Sequence, residues 1–333
     1  MHKQVRSSLQ YNGLGPLQNV SRLSLGGGGL GQIWGETTRD EAIATLDAAV
    51  AAGITLIDTA PIYLNCEKVV AETFAGRLPD GVRVTTKCML GEPERGSIAG
   101  KLEASLDASM AAMRLDHADI FLLHTNICED DAVFAFGNEH RRRFATPWSQ
   151  YVGEVVPAFE RLKQKGRIGA WGITGIGVPQ TIVKALSHEM KPDVVQAITN
   201  LLDSPGAIRR FAEAPIPREI IAAAKAQKIG VMGIRAVQAG ALTAAIDRPL
   251  KDSHPEAADY RRAEPFRALC AELDVDPALL AHRYALAMVG VDTVVLGVKN
   301  RAELIQCIEA EALGPLPVDL MARLDGLRQH LAA

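Results

Sequence analysis

The feature that most constrains this chain is an alternation. Short apolar runs that read as strands alternate, about eight times over, with longer stretches of helical periodicity. The runs include residues 54–57, 83–86, 119–123, 167–173, 194–198, 229–234 and 292–297. They are apolar on both faces, as strands buried in a parallel sheet must be. Each intervening stretch is long enough for a parallel crossover. Gly53 and Gly166 stop helices, and Thr37 or Thr38 is a natural N-cap for the stretch RDEAIATLDAAVAAG. No break in composition marks a second domain across the 333 residues. The pattern predicts a single α/β domain, 1–333, folded as a (β/α)8 TIM barrel, with about 1–20 forming an N-terminal arm or hairpin. A doubly wound sheet would have fewer strands and a glycine fingerprint after the first.

Composition narrows the function. A net charge of −3 gives no basic footprint for nucleic acid. No apolar run reaches the ~18–20 residues of a membrane helix, and the first residues lack the apolar core of a signal peptide. The five cysteines are odd in number and scattered, without a C-x-x-C pair, which points to a reducing compartment. A cytoplasmic protein, without nucleic-acid or membrane partners, is expected. No H-x-H pair follows the first strand, so no metal site is expected.

The chemistry sits at the strand ends. Three successive strands run into an ionisable residue: Asp58, Lys87 and His124. In a βα barrel the carboxyl ends of all strands share one face, so these residues converge there, with Tyr63 in the loop above. Buried Asp58 and Lys87 each need an opposite charge. A cation beside a phenol is expected to lower the Tyr63 pKa and make it a usable proton donor. His124 is placed to donate to a polarised carbonyl oxygen. An acid aimed at a carbonyl oxygen implies hydride arriving at carbon, which requires a nicotinamide. The Gly26–Gly29 run lacks the phosphate-loop pattern and is expected to mark a close approach of backbone, with no helix starting directly after it.

These residues resemble the aldo-keto reductase family. The resemblance rests on Asp58-Thr59-Ala60 with Tyr63 and Glu67, on Lys87 closing VTTK, and on His124 in DIFLLHTN. It extends through GRIGAWGIT, Gln196 and Asn200, GVMGIRAVQAGALT and VVLGVKNRAELI, nearly the whole chain in order. It implies the βα barrel, Tyr63 as general acid/base, Lys87 and Asp58 tuning it, and His124 orienting the carbonyl. It also implies NADP, with NAD as the alternative, bound across the strand ends. Gly27 and Gly28 would approach the cofactor, and Thr174 and Gln196 would hold the carboxamide. Arg235 would reach the pyrophosphate, and Gly297, Lys299, Glu303 and Cys307 would surround the adenosine. Lys299 suits a 2′-phosphate, and the helix start after it suits an anion. Glu303 suits a 2′-hydroxyl.

Trp34, the irregular stretch 127–150 with Phe134, Phe136, Phe144 and Trp148, and the loop 244–260 are expected to line the substrate side. The implied activity is an NAD(P)-dependent carbonyl reductase or alcohol dehydrogenase (EC 1.1.1 class) acting on a small carbonyl or sugar, as a monomer or small homo-oligomer. The alternatives are an NAD-dependent aldose 1-dehydrogenase, a nucleotide-binding regulatory module with little turnover, and a Schiff-base aldolase using Lys87.

Overall fold

Eight parallel strands close into a barrel in the computed structural model, which describes residues 9–134 and 137–331. Phe136 and the start of the N-terminal arm lie outside the described residues. The barrel strands are β1 (Leu23–Gly26), β2 (Leu56–Asp58), β3 (Arg83–Cys88), β4 (Ala118–Leu123), β5 (Ile168–Thr174), β6 (Val194–Ile198), β7 (Gly230–Ile234) and β8 (Thr293–Leu296). Each pairs with its neighbours in chain order, and β8 returns to β1 through Val295↔Ser24 and Leu296↔Leu25. The expected βα barrel is therefore the observed fold.

The two faces of each strand have different tasks. Side chains such as Leu25, Ile57, Phe121, Ile173 and Val195 point outward to the surrounding helices and form the large core. Leu56, Ile120, Leu122, Ala170, Val194 and Met232 form a second cluster with Leu14 and Val20. Those last two belong to an antiparallel hairpin, Tyr11–Leu14 with Leu17–Ser21, packed under the barrel. Its Gly15 has φ +56° and lies so close to the barrel that a Cβ would sit 2.5 Å from the Asp193 carbonyl oxygen. Thr38 caps the first long helix, Arg39–Ala51, by accepting from Glu41 N–H at 3.1 Å.

Three local expectations are corrected. Residues Gly27–Leu30 form one turn of helix inside the glycine run. The stretch 127–150 is not irregular. Asn126–Cys128 pairs in parallel with Ala145–Pro147, and Gly137–Phe144 is helical between them. Within 244–260, Pro255–Arg262 is a helix capped by His254. Both helices are dominated by charged residues and lack an apolar stripe, so they escape a reading based on periodicity.

Candidate active site

The register of β2 against β3 builds the centre. Asp58 lies opposite Thr85, and Lys87, two residues further, points to the same side of the sheet. Lys87 Nζ donates to Asp58 Oδ2 at 2.7 Å, to the Thr59 carbonyl at 2.9 Å and to Tyr63 Oη at 3.2 Å. These three bonds use every N–H of a fully buried ammonium. The other Asp58 oxygen accepts from Thr85 Oγ1 at 2.7 Å and Gln196 Nε2 at 2.8 Å. The carboxylate at the end of a buried strand is thus satisfied by three donors. Thr85 was not singled out from the sequence, although the period of two along β3 pairs it with Lys87.

Tyr63 ends the short turn Pro61–Tyr63, and its ring meets the His124 ring edge-on at a centroid distance of 6.0 Å. His124 follows β4 directly, and its N–H is fixed to the Cys88 carbonyl at 2.8 Å. The electrostatics correct one expectation. Burial pushes the Tyr63 phenol above its ordinary value, and the pull of Lys87 does not overcome burial and Asp58 together. The same burial pulls Lys87 down, but Asp58 and the phenol oxygen outweigh it and hold the ammonium up. Burial, then Lys87, bring His124 down to about 3, so its imidazole is neutral at pH 7. The centre holds a protonated phenol, a fixed ammonium and a neutral imidazole.

The centre opens into a cavity of about 600 Å³ lined from the ends of all eight strands, from Gly26 through Asp58, Met89, His124, Thr174, Gln196, Ile234 and Leu296. Gly28 and Trp34 form one wall, and a Cβ on Gly28 would sit 2.6 Å from Trp34 Nε1. Gly27 instead faces away, since its Cβ would meet Cys66 Sγ at 2.1 Å. Thr174 lines the cavity with its hydroxyl donating to the Leu123 carbonyl at 3.3 Å. Trp148 does not line it. Its ring lies under Lys184 Nζ at 4.1 Å, on the helix Pro179–Leu186, and against Tyr151 at 5.6 Å. Phe144 and Arg210 line the wall on that side.

The far end is crowded with carboxylates. Arg235, at φ +61°, donates to Glu256 at 2.6 Å and to Gln238 at 2.8 Å. Its guanidinium is committed to the helix that was expected to be loop, rather than standing free for a pyrophosphate. Lys299 Nζ pairs with Asp247 and, at 3.0 Å, with Glu303. The helix start at Arg301–Ala312 is already capped. Lys299 N–H goes to Glu303, Arg301 N–H to Glu41 and Glu303 N–H to Asn300. The anion site expected there is filled by the chain's own acceptors. Gly297 and Cys307 line this end, with Cys307 Sγ 3.5 Å from His282 Nε2. Among the described residues there is no cluster of acidic, His or Cys side chains fit for a metal. No described helix is long and apolar enough to cross a membrane.

A barrel with a Tyr–Lys–Asp–His group at its strand ends defines a class, and comparison with known proteins agrees. The model of the aldo/keto reductase family matches residues 22–329, and the chain belongs to that family of oxidoreductases, whose members generally use nicotinamide cofactors. It is 26% identical over 304 residues to L-galactose dehydrogenase of Arabidopsis thaliana, covering 89% of this chain and 86% of that protein. It is 25% identical over 336 residues to D-threo-aldose 1-dehydrogenase of a Pseudomonas species, covering 92% and 93%. The glycerol dehydrogenase structure from Gluconobacter oxydans shares the fold with a TM-score of 0.69 at 19% identity, covering 99% of this chain and 98% of that one.

Proposed function

We propose that this chain interconverts a small carbonyl compound or sugar and its alcohol or lactol counterpart, with Tyr63 as general acid/base. The observation that carries the reading is the Lys87–Tyr63 hydrogen bond. The phenol oxygen accepts from the ammonium, so its own proton is free to point into the cavity. A bound nicotinamide supplies the hydride. In reduction, Tyr63 gives its proton to the carbonyl oxygen, and Lys87 stabilises the phenolate left behind. Asp58 keeps Lys87 charged, and neutral His124 donates to the same oxygen as it gains charge.

The cavity suits an extended dinucleotide, since it spans every strand end and its glycine wall leaves room that a side chain would fill. Gln196 and Thr174 would hold the carboxamide end, and Gly297, Glu303 and Cys307 would surround the adenosine. The sequence favoured NADP. The carboxylates of Asp247 and Glu303 on Lys299, with the capped helix start, support NAD(H) instead. A 2′-hydroxyl can donate to Glu303, whereas a 2′-phosphate would meet two negative charges.

Aldose 1-dehydrogenation is the second reading, favoured by the names of the two relatives aligned over nearly the full chain. Schiff-base chemistry at Lys87 is disfavoured, because it requires a free neutral amine and this amine is charged and triply bonded. The test is fluorescence titration with NADH and NADPH, then a carbonyl and aldose panel followed at the nicotinamide absorbance in both directions. Cofactor binding without turnover of any panel member would leave only the regulatory-module reading.

A further inference from the structure

The walls of the cavity carry several cations, and most are neutralised. Arg235 and Arg248 share Glu256, and Lys299 has Asp247 and Glu303. Arg210 is different. Among the described residues it makes no ion pair, and its guanidinium carbon stands 3.8 Å from the centre of the Phe144 ring. Arg143, also without an ion pair there, lies 5.0 Å from the same ring. Both distances fall within the cation–π range of about 6 Å. One Arg210 N–H donates to His140 Nε2 at 2.8 Å, which leaves other edges of its five-donor fork for a ligand.

The position of this pair follows from its tethers. The Phe144 carbonyl accepts from Thr125 Oγ1 at 2.8 Å and from Asn126 Nδ2 at 2.9 Å. Those two residues follow His124 directly, so the Arg–Phe platform is fixed to the segment that carries the carbonyl-orienting imidazole. The end proposed above for the adenosine is lined by Glu303, Gln306 and Cys307, where carboxylates gather. Two guanidiniums held on one ring repel each other, and burial with Arg143 nearby pulls Arg210 below its ordinary value. A half-buried cation without a counter-charge is stabilised when an anion arrives. A guanidinium fork matches carboxylate and phosphate oxygens two at a time.

We infer that the substrate carries an anionic group, a carboxylate or a phosphate ester, which sits on Arg210, with Arg143 adding positive charge from the exposed side of the Phe144 ring, while its carbonyl meets Tyr63 and His124. The inference rests on the carbonyl–alcohol reading above and specifies the substrate for that site.

Matched pairs test it. Succinic semialdehyde is compared with butanal, and glyceraldehyde 3-phosphate with glyceraldehyde, using the wild-type enzyme with its cofactor. At least one anionic partner is expected to show a kcat/KM about tenfold or more above its neutral counterpart, carried by KM, with the advantage falling as salt rises. The pair that shows it tells carboxylate from phosphate. In Arg210→Gln the ratio should fall close to one, and Arg210→Lys should keep part of it. Arg143→Gln, on an exposed side chain, is a second variant and should reduce the ratio too. Equal kcat/KM within both pairs, or a ratio unchanged in Arg210→Gln and Arg143→Gln, overturns the inference. If cofactor binds but no carbonyl turns over, the activity reading fails, and calorimetry with the cofactor-loaded protein still decides the anion site. Binding of succinate or glycerol 3-phosphate that weakens about tenfold in Arg210→Gln supports it, and absence of binding by both overturns it.

Discussion

At the scale of single residues, the centre is governed by Lys87, whose three donors tie Asp58, Thr59 and Tyr63 into one unit. Lys87→Met removes the cation and leaves the Asp58 carboxylate buried without one. Breaking a buried pair this way costs about 3–5 kcal/mol, so a large drop in melting temperature should accompany the loss of activity. Tyr63→Phe removes only the proton donor. Turnover should fall by about 10²–10⁴-fold while NADH binding by fluorescence survives. Because burial raises the Tyr63 pKa above 10.0, the phenol is protonated through neutral pH. Reduction should therefore be flat with pH up to about 10, while oxidation, which needs the phenolate, should climb about tenfold per pH unit. Initial rates in both directions across pH check this. His124 adds a stability effect of known sign. Its folded value of about 3 lies below the ordinary 6.5, so between those pH values the unfolded chain binds a proton that the native state does not. Stability is intact above 6.5 and is lost as pH falls toward 3. Thermal melts of His124→Gln should show a shallower fall on acidification than the wild type.

At the scale of elements, the glycine run shows how close the cavity wall is built. A Cβ on Gly29 would lie 1.9 Å from the Val298 carbonyl oxygen, in backbone that cannot swing aside. Gly29→Ala should cost about 1–3 kcal/mol and weaken cofactor binding by shifting the loop that begins at Gly297; a melting curve and an NADH titration measure both. Strands and strand-end charges were legible in the sequence because a doubly buried strand is a continuous apolar run, and Asp58, Lys87 and His124 each interrupt one. The tyrosine's direction of shift was not legible, since it depends on how burial weighs against a neighbouring charge. The helices Gly137–Phe144 and Pro255–Arg262 were also missed. Ion pairs such as Arg141–Glu92 and Arg235–Glu256 tie them to residues far away in sequence. The resulting errors were linked: overlooking the second helix left Arg235 looking free, and overlooking the first hid the platform that Phe144 makes for Arg210.

At the scale of the whole molecule, the cavity carries opposite charge preferences at its two ends. Carboxylates surround Lys299 at one end, while Arg210, without an ion pair among the described residues, lines the other. The first half of that polarity predicts cofactor choice. NADH should be preferred over NADPH, and Glu303→Gln with Asp247→Asn should move the kcat/KM ratio toward NADPH by about tenfold or more, equivalent to ~1.4 kcal/mol. An unchanged ratio would sink that assignment.

Barrel closure also imposes an order in time. Strand β1 finds one neighbour, β2, early in synthesis, but its other edge stays open until β8 is made. The Ser24–Thr293 hydroxyl pair joins residues 269 positions apart, and the Gln10 N–H reaches Glu311 across 301. The hairpin beneath the barrel likewise meets Asp193 and Gly230, which are made much later. Contacts of such long sequence separation fold slowly. On the ribosome the open edge of β1 is therefore among the last parts of the barrel to be paired, and it must be kept from other chains until β8 has emerged.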